Sequence, residues 1–274
     1  MLYNIFYFIE WKRTFILVIM AFTKDLLNKD LENFMLLNKV EFSTCATITT
    51  IIQLLSGVTV CRKYIINGST GETSSAPFVL GALNAFCWLK YGLLIGDLQV
   101  IVVNTAGTIL ISSYTICFCC YSSRRSGIKI QILIALLFAI KVELFILYGK
   151  FLEYSTEKYI CGIIASALTI GFFASPLATI VNVVQTKSTS TLPFYMILAN
   201  LFVTVQWWLY GLILDDYFIE IPNFLGMCLS AMQLSLFVIF PGRKIIDVSR
   251  LSACQPFKAV NRKYFGNELI TDIS

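Results

Sequence analysis

The sequence predicts an all-α membrane protein: seven transmembrane helices, arranged as two parallel three-helix repeats joined by a linker helix (3+1+3). Three observations predict this class. First, 57% of the 274 residues are hydrophobic and only 14% are charged, where a soluble domain carries about 25% charged residues. Second, the apolar residues fall into separate runs, each long enough for the roughly 20 residues that cross a bilayer as a helix. Third, the sequence repeats itself at an offset of 119 residues. Trp88 matches Trp207, Tyr91 Tyr210, Gly92 Gly211, Asp97 Asp216, Asn104 Asn223 and Gly107 Gly226.

Residues 1–39 form a mixed extension. The apolar stretch Phe15 to Phe22 is too short to span, and Lys24, Asp25, Lys29 and Asp30 follow it closely. Lys12 and Arg13 precede it as in a signal peptide, but no small-residue cleavage site follows. The reading is a poorly ordered extension or an interfacial helix, with Met35 as an alternative start. The first repeat then occupies 40–122, with spans near 42–61, 78–96 and 99–121. The linker unit is 123–158, with a span near 129–149. The second repeat is 159–241, with spans near 159–184, 193–214 and 217–240. A polar tail, 242–274, ends the chain. Each repeat holds an odd number of spans, so a single linker helix returns the second copy to the orientation of the first. That makes the repeats parallel, a known transporter plan with the substrate held between the halves.

Basic residues set the orientation. With the C-terminus cytoplasmic, Arg62, Lys63, Arg124, Arg125, Lys129, Lys187 and the basic residues of the tail lie inside. The outer turns at Gly96-Asp97 and Asp215-Asp216 carry no basic residue. Seven spans then place the N-terminus outside. The sequon Asn67-Gly68-Ser69 falls in a cytoplasmic loop and is expected to stay unglycosylated.

The chain contains no His, which removes His-based zinc sites, Ser-His-Asp triads and imidazole relays. No nucleophile–base set is visible, so an enzyme is not expected, nor is any cofactor or metal. The net charge of +5 reports orientation rather than nucleic-acid binding. Cys117, Cys119 and Cys120 read as small apolar residues of a membrane helix, with lipidation as the minority reading.

The candidate site comes from polar residues that repeat. A single amide in a span is usually helix–helix glue, but Asn104 and Asn223 occupy equivalent places in facing repeats. Amides offer donors and acceptors together, which suits a sugar hydroxyl. Trp88 and Trp207 repeat as well, and an indole face packs against the apolar face of a pyranose. Two bulky indoles suggest room for a monosaccharide. Trp208 has no counterpart and reads as lipid-facing or packing. Tyr91, Tyr210, Asp97 and Asp216 lie towards the outer ends, where Tyr–Asp pairing across the repeats closes a gate; ordinary turn chemistry is the alternative for the Asp residues. Pro77, Pro176 and Pro193 fall in or near spans two, five and six as hinges for alternating access. Pro222 precedes Asn223 and is expected to free backbone near the site. Lys90 is expected to snorkel outward. Lys141 and Glu143 lie on the linker, and Glu220 is the only obvious carboxylate for proton coupling.

These residues, over about 42–241, resemble the SWEET (saliva-type) sugar transporter family. The stretches that carry the resemblance are Pro77-Phe78, Trp88-Leu89-Lys90-Tyr91-Gly92, Asp97, Val103-Asn104 and Gly107. In the second copy they are Ser175-Pro176-Leu177, Gln185-Thr186-Lys187-Ser188, Trp207, Tyr210-Gly211, Asp216 and Pro222-Asn223. The resemblance implies a seven-helix uniporter of mono- or disaccharides, often oligomeric, in the plasma membrane and/or the Golgi. It implies sugar contact by Asn104 and Asn223, stacking by Trp207 with Trp88 symmetric to it, and an outer gate that includes Tyr91 and Asp216. Where the family often has a fourth hinge proline this chain has Gly57, as in the animal branch. Two alternatives remain: a proton-coupled carrier of the PQ-loop type, against which Leu177 rather than Gln follows Pro176, and a non-transporting seven-helix interaction protein. A seven-helix receptor predicts no repeat.

Overall fold

The computed structural model describes residues 39–240, apart from 124, 150–152 and 191, together with positions 33 and 37. The extension expected at 1–39 and the tail at 242–274 otherwise lie outside the described residues. Among these residues the first repeat contains α1 (Lys39–Leu55), α2 (Gly57–Asn67), α3 (Ala76–Ile95) and α4 (Leu98–Tyr121). The linker is α5 (Arg125–Gly149). The second repeat contains α6 (Tyr154–Gly171), α7 (Ala174–Thr186), α8 (Phe194–Leu214) and α9 (Tyr217–Ile239). Seven spans result, because α1 with α2 and α6 with α7 each form one interrupted span, Lys39–Asn67 and Tyr154–Thr186.

Both interruptions have a local cause, and they lie at matching places. In the second repeat, Pro176 is the third residue of α7 and has no N–H to give to the carbonyl four residues back, that of Phe172. The helix breaks there, at Phe172 and Phe173. In the first repeat, Gly57 follows the break at Ser56, whose N–H bonds Gln53 O in a tighter, three-residue turn. Pro77 and Pro193, expected near the hinges of spans two and six, stand at helix starts instead: Pro77 in the first turn of α3 and Pro193 as the N-cap of α8. A missing N–H costs nothing at those positions, because the first turn of a helix has no acceptor for it.

Each repeat folds around a tight hairpin. Gly96 ends α3 in the left-handed conformation (φ 68°), and Asp97 caps α4 by accepting from Val100 N. Asp215 (φ 51°) and Asp216 repeat this turn between α8 and α9. The paired helices cross closely at Gly92 and Gly211. A Cβ on Gly211 would lie 2.7 Å from the Glu220 backbone nitrogen, and one on Gly92 would lie 2.9 Å from Val100 Cγ1. Further along the same crossings, Gly107 faces Ala85 and Gly226 faces Thr204, so the small-residue packing is itself duplicated at the 119 offset.

Helix contacts close a ring in the order α1, α4, α3, α6, α9, α8 and back to α1. Within each repeat the third span therefore lies between the first and second. The repeats meet along two seams, α3 with α6 and α8 with α1. The buried core draws on both, with Trp88, Tyr91, Val100 and Val103 from one and Ala165, Trp207, Tyr210 and Phe218 from the other. The linker α5 packs outside this ring, mainly on α3. Lys90 does not simply snorkel: its Nζ lies 2.6 Å from Glu143 Oε2 on α5 and over the Phe86 ring. Trp208 packs its ring on Phe224.

Candidate substrate cavity

A cavity of about 220 Å³ lies between the two repeats. Asn104, Asn223, Trp88 and Trp207, named from the sequence as the substrate set, all line it. So do Thr50 and Thr169, and Val100 and Ile219, two further pairs at the 119 offset. The cavity is thus walled by four matched pairs about a pseudo-two-fold axis.

The amides are anchored in the same way. Asn104 Nδ2 donates to Val100 O at 2.8 Å, and Asn223 Nδ2 donates to Ile219 O at 2.7 Å. One N–H of each is spent on its own helix, and among the described residues neither amide oxygen has a partner. Each Asn therefore presents an acceptor and a donor that a hydroxyl can use.

The indoles are fixed across the seams. Trp88 Nε1 donates to Thr169 Oγ1 and Trp207 Nε1 to Thr50 Oγ1, both at 2.8 Å. Each repeat's Trp is thus oriented by the other repeat's Thr. The sequence reading missed both threonines. Their signal was the repeat itself, since Thr50 and Thr169 match at 119 along with Ala46 and Ala165, whose carbonyls accept from them. They carry no motif, and a membrane Thr bonded to its own helix is ordinary. The symmetry is broken once by a polar group. Asn84 lines the cavity and accepts from Thr169 Oγ1 at 3.2 Å, where its counterpart is Val203.

At the hairpin end the two repeats are bonded to each other. Tyr91 Oη donates to Asp216 Oδ2 at 2.6 Å, and Tyr210 Oη donates to Asp97 Oδ2 at 2.7 Å. Each tyrosine stands edge-on to the tryptophan one turn earlier, at 5.7 Å between centroids. The aspartates thus combine the expected cross-repeat pairing with the ordinary turn chemistry. In each, Oδ1 caps a helix while Oδ2 receives a tyrosine from the other repeat. At the opposite end, the substantial contacts of α2 and α7 stay within their own repeats. Pro222 does free the Phe218 carbonyl, but Ser166 Oγ takes it up at 2.9 Å, leaving it committed to α6 rather than to a ligand.

Among the described residues, none that lines the cavity is charged. Glu220 is buried but is not among the lining residues. The site offers two aromatic faces, amides and hydroxyls, which is the chemistry of a neutral, polyhydroxylated solute.

A sequence model of the family described as "Sugar efflux transporter for intercellular exchange" matches the chain twice, at residues 40–126 and 159–245. Both ends of the second match lie 119 residues beyond those of the first. The chain belongs to the SWEET family. Among its relatives, the sugar transporter SWEET1 of Drosophila pseudoobscura pseudoobscura is 38% identical over 73% of this chain and 89% of its own length. The mouse (Mus musculus) sugar transporter SWEET1 is 33% identical over 73% and 90%. The bidirectional sugar transporter SWEET2a of rice (Oryza sativa subsp. indica) is 30% identical over 70% and 81%. A solved structure of a eukaryotic SWEET transporter at 3.7 Å superposes with a TM-score of 0.66 and 30% identity, covering 73% of this chain and 96% of that one. The family is one of transporters, not enzymes, and the seven spans make this member a multi-pass membrane protein.

Proposed function

We propose that this SWEET protein carries a sugar across its membrane in both directions, by alternating access and without a coupled ion. One observation carries the reading: a neutral cavity between parallel repeats, walled by paired indoles and paired amides. Relatives named as sugar transporters, and a rice relative named as bidirectional, support the same substrate class. Asn104, Asn223, Trp207 and Trp88 are the sugar contacts. Tyr91, Asp216, Tyr210 and Asp97 are the gate. Gly57 and Pro176 are the hinges that let α2 and α7 swing, while Pro77 and Pro193 fix where α3 and α8 begin after the loops.

The orientation follows from charge. Arg62, Lys63, Lys129 and Lys187 lie at the α2–α7 end, which we assign to the cytoplasm. The Tyr–Asp locks then close the outer face, and the described conformation opens inward. Among the described residues no carboxylate lines the cavity, which supports uniport over proton coupling, since coupled carriers place an ionisable group on the path.

The test is sugar uptake by the full chain in transport-deficient cells. Uptake is expected to be lost in Asn104→Ala and in Asn223→Ala, and to persist when the proton gradient is collapsed. Full uptake in both variants overturns the site, and uptake that vanishes with the gradient overturns uniport.

A further inference from the structure

The two outer locks are not equivalent. Asp216 is 3% exposed. Its Oδ1 accepts from Phe218 N, and its Oδ2 accepts from Tyr91 Oη and lies 3.2 Å from Lys158 Nζ. Asp97 is half-buried, and among the described residues no cation pairs with it. Lys39 stands 119 residues before Lys158, so a lysine repeats at this position while the ion pair does not.

Membership of the two halves gives the asymmetry its meaning. Lys158 on α6 and Asp216 at the start of α9 both belong to the second repeat, whereas Tyr91 belongs to the first. When the outer face opens, Tyr91 departs and Lys158 stays with Asp216. The carboxylate is sealed from water in the closed form and meets water in the open one. Attraction between fixed opposite charges strengthens as water is excluded, and a buried carboxylate without a partner is costly. Lys158 therefore stabilises the closed lock more than the open lock. Its side chain is 34% exposed, which screens the pair and keeps the preference modest.

We propose that Lys158 is a positioning residue that sets the carrier's resting bias: it holds the Asp216 carboxylate compensated under Tyr91 and so favours the form closed on the outer face. The inference rests on the uniport reading. In a uniporter whose loaded form crosses more slowly than its empty form, a regime that shows as sugar exchange no faster than zero-trans flux, shifting the carrier outward lowers the KM measured from the outer face and raises the KM measured from the inner face. Vmax/KM stays equal in the two directions, because no energy source drives the cycle. A variant that merely misfolds lowers both Vmax values and leaves the KM ratio alone.

Zero-trans sugar fluxes are to be measured in both directions on the full chain. Lys158→Met is expected to raise the ratio of inner to outer KM by about threefold or more, as for a partly screened pair, and Lys158→Arg to stay near the parent. In an Asp216→Asn background, which keeps the cap through Oδ1, lets Nδ2 donate to Tyr91 Oη where the carboxylate accepted from it, and loses the charge, Lys158→Met is expected to change nothing further. An unchanged ratio, or a shift that survives in the Asp216→Asn background, overturns the proposal. A second measurement needs no sugar: in a Val103→Cys background, a membrane-impermeant thiol reagent added from the outer face reaches the cavity only when the locks open. Lys158→Met is expected to speed that labelling at residue 103. A parent chain without sugar flux defeats the proposed function alone, and labelling that Lys158→Met leaves unchanged defeats this inference alone.

Discussion

At the scale of single residues, the threonines that face the indoles carry the most specific prediction. Trp88 and Trp207 each give their one N–H to a threonine across the seam. Thr→Val keeps the shape and removes the acceptor. A buried donor left unsatisfied costs about 1–3 kcal/mol, and the indole relieves that by tilting off the cavity wall. Thr50→Val and Thr169→Val are therefore expected to raise the KM for sugar uptake, by about fivefold for 1 kcal/mol, with smaller changes in Vmax. Thr169→Val is expected to be the more severe, because Asn84 loses its donor at the same time. Serine at either position is expected to restore near-parent kinetics. Uptake kinetics in transport-deficient cells check this, and unchanged KM in both valine variants counts against the indole–threonine pairing. The residues legible from sequence were those whose side chains are rare in a span, Asn and Trp. Thr50, Thr169 and Asn84 were not, because membrane threonines are common and Asn84 has no matching partner to mark it.

At the scale of elements, the repeat predicted seven spans and which of them correspond. It did not predict that the first span of each copy is two helices. Pro176 announces its break, since an absent N–H is written in the sequence. Gly57 does not, since glycine only permits a break. The third dimension adds the reason glycine stays there. A Cβ on Gly57 would lie 2.3 Å from Tyr114 Cε2, and Tyr114 Oη bonds Leu54 O beside the break. At the matching place in the second repeat, Pro176 is accompanied by Gln233, whose amide reaches Thr179 instead. The bulk on the third span and the hinge residue on the first are thus exchanged together. Gly57→Ala is expected to overpack the α2–α4 seam and cost about 1–3 kcal/mol, seen as a lower melting temperature in detergent. Tyr114→Gln, added to Gly57→Ala, is expected to recover most of that loss. A Gly57→Ala protein that melts like the parent shows the Tyr114 ring free to move aside.

At the scale of the whole molecule, the proposed alternating access divides the ring of six spans into two moving halves, and the linker α5 then has to travel with one of them. The ion pair Lys90–Glu143 assigns it to the first, because it fastens α5 to α3, while no equivalent lysine stands on α8, where Leu209 replaces Lys90. Hydropathy alone hid this: both residues look like isolated charges in apolar runs, and only the folded chain puts them together. The pair is partly exposed, with side chains at 21% and 39%, but both residues stand within membrane-spanning segments, where a charge left alone is costly. Lys90→Leu and Glu143→Leu are each expected to lower the melting temperature and the amount of protein reaching the membrane. The double variant Lys90→Leu/Glu143→Leu is expected to recover much of both, since replacing a whole buried pair with apolar groups is often neutral or stabilising. Losses that simply add in the double variant rule out the pair as the fastening between linker and first repeat. Recovery with transport intact shows that any well-packed contact between α5 and α3 serves, provided that the linker stays with the half that carries Tyr91 and leaves α8 and α9 free to move against it.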